Sequence, residues 1–171
     1  MSLPAIALST LQCVARDAIS FQASHVLSIL DPGENAPVLE IPAENHLVQH
    51  FHDVTTGVGQ GPAWIEPPMG GHIARIIEFA RAAGPEARIL VHCHMGVSRS
   101  PAAVLIIAAA LTGSAEEAEA CLQAIDPRAG TEPNARMIQM ADRQLRLEGK
   151  LVAAAHRLNS RRPEATAYRV W

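Results

Sequence analysis

Cysteine and aromatic residues are scarce in this chain, neither sign of charge dominates, and no apolar run is long. Three cysteines, Cys13, Cys93 and Cys121, are odd in number and widely spaced. That excludes a disulfide framework and fits a reducing cytoplasm. Aromatics make up 4% of residues, so a core must come from Ala, Leu, Ile and Val. The net charge of −3, with signs interspersed, gives nucleic acid or an anionic membrane no electrostatic footing. The longest apolar run, Ala102 to Leu111, is too short to cross a bilayer. The opening MSLPAIALST lacks the basic segment of a secretory signal. At 171 residues the chain has the length of one compact domain, and a cytoplasmic location is expected from the cysteine pattern and the absent signal.

What is present concentrates in one stretch, ILVHCHMGVSRSP, from Ile89 to Pro101. Ile89, Leu90 and Val91 form an apolar run that reads as a buried strand. Pro101 and the following AAVLIIAAAL read as a buried helix, because Pro is tolerated in a helix's first turn. Between them Cys93 to Arg99 form a loop with Gly96 in the middle. A loop that leaves a strand and enters a helix N-terminus has free backbone N–H groups and a favourable dipole, the geometry that holds an oxyanion. His94, Met95, Gly96, Val97, Ser98 and Arg99 are thus the candidate phosphate-binding set. Cys93 at the base sits in a field that favours thiolate over thiol. Arg99 can bind two phosphate oxygens with its fork.

The flanking chain alternates strands and helices. A first strand is expected within Ile6 to Ala15 and a helical turn over Asp17 to Ala23. HVLSIL, His25 to Leu30, is a strand stopped by Asp31-Pro32-Gly33. Pro37 to Ile41 fits either a strand or a connection. HLVQHFHDV, starting at His46, is a third strand with Leu47, Gln49, Phe51 and Asp53 on one face. Thr55 to Gly71, rich in Pro and Gly, is expected to be a long functional loop. Helical spacing begins at His72 and stops at Gly84-Pro85, with Ile73, Ile76, Ile77 and Ala80 inward. After the central helix, which Gly113 ends, Ser114 and Glu117 read as a capping box. The helix they open carries Ala118, Leu122 and Ile125 inward. A further helix runs from Pro133 to about Glu148 and a last one from Leu151 to Leu158. This order predicts an α/β fold: a mostly parallel central sheet flanked by helices, with a helical C-terminal layer. One catalytic domain over 1–150 is expected, followed by a C-terminal helix and tail over 151–171.

His-Cys, five residues, then Arg-Ser resembles the signature of cysteine-dependent protein tyrosine phosphatases, and VHCHMGVSRS is most similar to the dual-specificity branch. HVLSIL with its acidic turn is similar to the second-strand region of that branch. DPRAGTEPNARMIQMADRQL resembles its pattern of Arg, Pro-Asn and a helix ending in Gln-Leu. The likeness covers residues 5–147 and is patterned rather than close outside the central loop. It implies a phosphotyrosine phosphatase-like fold and a cofactor-free, metal-independent phosphomonoester hydrolase working through a phosphocysteine. The substrate implied is a phosphorylated protein or a small phosphomonoester.

The resemblance also assigns roles. Asp53, on the loop after a strand upstream of Cys93, matches the general acid, an aid that typically contributes about 10²–10⁴-fold; Glu66 is the fallback. Ser100 matches the hydroxyl that hydrogen-bonds the sulfur; it also fits an ordinary helix N-cap, and both can hold together. His92 should be buried and hydrogen-bonded beside the nucleophile. Asn134 matches the Asn that braces the loops, or simply caps a helix. His94 departs from the family pattern and would place positive charge at the pocket rim. The loop holds no Lys, which disfavours inositol lipids. Met95 stands where a small residue is common and should alter packing more than chemistry.

Other chemistries compete. His50-x-His52 and His92-x-His94 have a spacing used by metal hydrolases, but no carboxylate completes a site. A phosphate-binding pseudo-phosphatase without turnover usually lacks the Cys, Arg or Asp kept here. A rhodanese-like sulfur transferase also uses a Cys loop, yet the Arg-Ser ending argues against it. A protective disulfide between Cys93 and Cys13 or Cys121 is disfavoured by the apolar helix around Cys121.

Overall fold

The computed structural model describes residues 3–57 and 59–161. Its strands are the apolar, partly β-branched runs. β1 spans Ala5–Thr10, β2 His25–Leu30, β3 His46–His50 and β4 Arg88–Cys93. All pair in parallel, in the order β1-β4-β2-β3. β4 is therefore central, and from Ile89 to Cys93 every residue is buried. That explains its continuous apolar run, since a parallel strand is covered on both faces.

Among the described residues six α-helices supply the cover: α1 Val14–Phe21, α2 Gly70–Ala83, α3 Arg99–Thr112, α4 Ala115–Ile125, α5 Ala135–Leu145 and α6 Lys150–Ser160. One sheet face carries Leu27, Ile29, Ile89 and Val91 into the main core with α2 and α3. α3 is buried from Arg99 to Ala109, as a helix apolar on all sides must be. α4, α5 and α6 form the outer layer, with Leu122, Met137, Ala141, Leu151 and Leu158 in the same core. On the other face Val26 and Leu90 pack with Val14 and Ala18 of α1. Leu39 and Ile41 also lean on this cluster, so Pro37 to Ile41 is an irregular connection rather than a strand.

Several boundaries differ from the sequence reading. β3 ends at His50, not Asp53, because β2 ends at Leu30, its register partner. Phe51 still donates its N–H to the Leu30 carbonyl (3.0 Å), and beyond it His52 turns away from β2 and donates to the Glu66 carbonyl (2.7 Å) instead. α5 starts at Ala135 and stops at Leu145, where Arg146 turns left-handed at φ 56°. The Asp142 carboxylate ties off that turn, accepting from the N–H groups of Gly149 (2.7 Å) and Leu151 (2.9 Å). At α4 the Ser114 hydroxyl accepts from Glu117 N–H (3.1 Å) as expected. It donates to Glu116 (3.0 Å), so the neighbouring carboxylate closes the cap. Among the described residues no helix is long and apolar enough to cross a membrane. The expected tail lies outside the described residues beyond Arg161.

Candidate active site

Because all four strands run the same way, their C-terminal ends Thr10, Cys93, Leu30 and His50 share one edge of the sheet. In open α/β sheets that edge is where ligands bind. Cys93 ends β4 and is 2% exposed, and Arg99 opens α3. The loop between them is stitched to both neighbours. Leu11 N–H donates to the His94 carbonyl (3.1 Å), Glu132 N–H to Val97 (2.7 Å) and Asn134 N–H to Ser98 (3.1 Å). Gly96 sits at φ +72°, a left-handed conformation in which a Cβ would also meet the Ser9 carbonyl oxygen at 3.0 Å. Among the described residues none supplies an acceptor for the amide N–H groups of His94, Met95, Gly96, Val97 or Ser98. Five free donors on one short loop ahead of a helix N-terminus form a ready anion cradle. Met95 is 69% exposed and leaves the cradle to its backbone.

The Arg99 side chain is 4% exposed and held from behind. Its Nη1 donates to Asp31 Oδ1 (2.6 Å) and to the Phe51 carbonyl (2.7 Å). Nε is buried and has no hydrogen-bond acceptor among the described residues; Asp53 Oδ2 lies 4.0 Å away. A buried donor without an acceptor costs about 1–3 kcal/mol. An oxyanion in the loop would relieve it. Ser100, fully buried, places its hydroxyl 3.2 Å from the Cys93 sulfur.

Asp53 is brought to the same loop. Its Oδ1 accepts from the Ser98 hydroxyl (2.7 Å) and from Asn134 Nδ2 (2.8 Å), while the carboxylate stays 38% exposed. Asn134 does two jobs at once: it reaches the Val54 carbonyl (3.2 Å) and caps α5 by accepting from Met137 N–H (3.1 Å). Glu66 instead pairs through its backbone with His52, at 2.7 and 3.0 Å. His92 is fully buried, its Nε2 2.6 Å from Ser28 Oγ and its Nδ1 3.3 Å from the Cys93 carbonyl. Burial pushes its pKa down to about 4. His94 points outward, with Nδ1 3.4 Å from Glu34 Oε1.

Sequence reasoning passed over several participants. Asp31 reads only as a strand stop, yet it anchors Arg99. An acid just past the C-terminal end of the strand beside β4 is the signal that could have found it. Ser28, His46 and Glu34 carry no motif at all. His92 is buried while His94 is on the surface, so the two do not share a face. Among the described residues no group of three or more His, Cys, Asp or Glu side chains is placed to hold a metal. All three cysteines are free, and burial raises the pKa of Cys121.

No protein-family model matches the chain, and no curated protein matches its sequence. Solved structures do. A structure of DUSP15 superposes with a TM-score of 0.60 at 21% identity, covering 96% of this chain and 97% of that one. Human DUSP28 gives 0.57 at 16% identity, over 84% and 92% of the two chains. PTPMT1 in complex with PI(5)P gives 0.56 at 14%, over 88% and 94%. With a parallel sheet, flanking helices and a loop between β4 and α3 at its C-terminal edge, this chain has the fold of the dual-specificity phosphatases.

Proposed function

We propose that the protein is a cysteine-dependent phosphomonoester hydrolase that works through a phosphocysteine. The observation that carries this reading is the buried Arg99 Nε, unpartnered beside five free amides and a cysteine sulfur. These groups are arranged for three equatorial phosphate oxygens and for the charge that develops on them in transfer.

The Cys93 thiolate attacks phosphorus as the bond to the leaving oxygen breaks, and Asp53 gives that oxygen a proton. Oδ1 of Asp53 is already occupied by Ser98 and Asn134, so the proton is assigned to Oδ2, the oxygen nearer Arg99. Water then attacks the phosphocysteine, Asp53 takes the proton back, and the S–P bond breaks. The Ser100 hydroxyl, 3.2 Å from the sulfur, supports the departing thiolate. No Lys stands between Cys93 and Arg99, so we assign phosphorylated protein or a small phosphomonoester as substrate ahead of an inositol lipid. A reducing cytoplasm suits a free thiol nucleophile.

Hydrolysis of an aryl phosphate in the presence of EDTA, with vanadate inhibition as control, tests the reading. Cys93→Ser should abolish turnover while phosphate still binds. Turnover retained by that variant, or lost on chelation, would overturn the assignment. Phosphate binding without any turnover by the native chain would favour a binding module.

A further inference from the structure

The C-terminal edge of the sheet explains where Cys93 lies but not how the peptide that carries it is oriented. On the face covered by α1, a row of buried polar residues crosses three strands. Ser9, His92 and Ser28 are register neighbours in β1, β4 and β2, and all are buried. Ser28 Oγ lies 2.6 Å from His92 Nε2 and 2.8 Å from Nε2 of His46, the partly exposed first residue of β3. His92 Nδ1 lies 3.3 Å from the Cys93 carbonyl oxygen.

The proton on each atom follows from chemistry alone. A carbonyl cannot donate, so His92 Nδ1 must carry a hydrogen. Burial keeps this imidazole neutral near pH 7, its pKa being pushed to about 4. Its Nε2 is therefore an acceptor. The Ser28 hydroxyl donates to it and has no second proton to give. The contact with His46 then requires His46 Nε2–H as the donor.

We infer that Ser28 and His46 are positioning residues for the catalytic loop, forming a one-way relay from His46 through Ser28 to His92 that locks His92 as the Nδ1–H tautomer. The relay rests on the phosphatase reading for its functional sense. Its effect is geometric and electrostatic. Holding the Cys93 carbonyl on the His92 side turns the N–H of the same planar peptide, that of His94, to the opposite side. It also draws the negative end of that peptide away from the sulfur. Each bond polarises the next in the same direction.

Long-range ¹⁵N–¹H NMR of the histidine rings reads the tautomers directly. The native chain should show His92 as Nδ1–H and His46 as Nε2–H. Ser28→Ala should yield an Nε2–H population at His92, and Ser28→Thr should restore the native pattern. The rate of Cys93 alkylation by iodoacetamide at pH 6, followed by mass spectrometry of the Cys93 peptide, should fall about tenfold in Ser28→Ala, the weight of one ordinary hydrogen bond. The kcat for p-nitrophenyl phosphate should fall with it while KM stays within about twofold. His46→Gln, at a partly exposed site, should lower both rates in the same direction and tests the relay if Ser28→Ala folds poorly. Nε2–H at His92 in the native chain, or unchanged alkylation and kcat in both variants, would overturn the relay. A native chain that hydrolyses no aryl phosphate would sink the phosphatase reading alone, because tautomer and alkylation would still report the relay.

Discussion

Asp53 meets the loop through one oxygen, and that asymmetry gives the proposed mechanism a sharp residue-scale prediction. Asn at position 53 keeps a carbonyl oxygen that can accept from Ser98 and Asn134, which now hold Asp53 Oδ1 at 2.7 and 2.8 Å. The loop should therefore stay docked while the transferable proton is lost. Asp53→Asn should lower kcat by about 10²–10⁴-fold for alkyl and peptide phosphates. Activated aryl phosphates, whose leaving group needs little protonation, should lose far less. Equal loss with both substrates, measured side by side, would move the acid elsewhere. Arg99 follows the same logic of divided duty. Nη1 is committed to Asp31 and Phe51, and in the proposed mechanism this leaves Nε to the substrate.

Among the elements, the turn between α5 and α6 is held by one buried carboxylate. Asp142 is nearly inaccessible, and its two oxygens cap the N-terminus of α6 through Gly149 and Leu151. Asp142→Ala would leave both N–H groups without their acceptor and free α6, whose Leu151, Ala154 and Leu158 belong to the main core. A loss of about 2 kcal/mol is expected. It is to be read as a lower urea midpoint, with the activity per folded molecule unchanged. Periodicity in the sequence located α5 and α6 but misjudged their ends. A buried Asp inside a helix gives no local sign that it caps the next one.

The stability of the whole molecule should fall as the solution is acidified. Burial lowers the pKa values of His25, His46, His72 and His92, the last to about 4. The unfolded chain binds protons at these groups near pH 6.5 while the folded chain resists, so stability is complete above that value and declines toward pH 4. For His92 alone the full span corresponds to about 3 kcal/mol. Urea midpoints at pH 7.5 and pH 5 should differ accordingly, and His92→Gln should narrow the gap. A midpoint at pH 5 equal to that at pH 7.5 would refute the account.

What the sequence could determine alone was everything contained in thirteen contiguous residues. An apolar strand, a Cys, a Gly-centred loop, an Arg and a Pro-opened helix are local features, legible because neighbours in sequence set them. The α/β class followed from the same local alternation. The resemblance named Asp53 and Asn134, but the contacts that bring groups together on that loop were decided only in three dimensions. Asp31 and Phe51 reach Arg99 across 68 and 48 positions, and Asn134 reaches Asp53 across 81. Ser28 meets His92 across 64. Those pairings depend on strand order and register, which gather the ends of four parallel strands at one edge. No periodicity within a single segment encodes which strand will lie beside which.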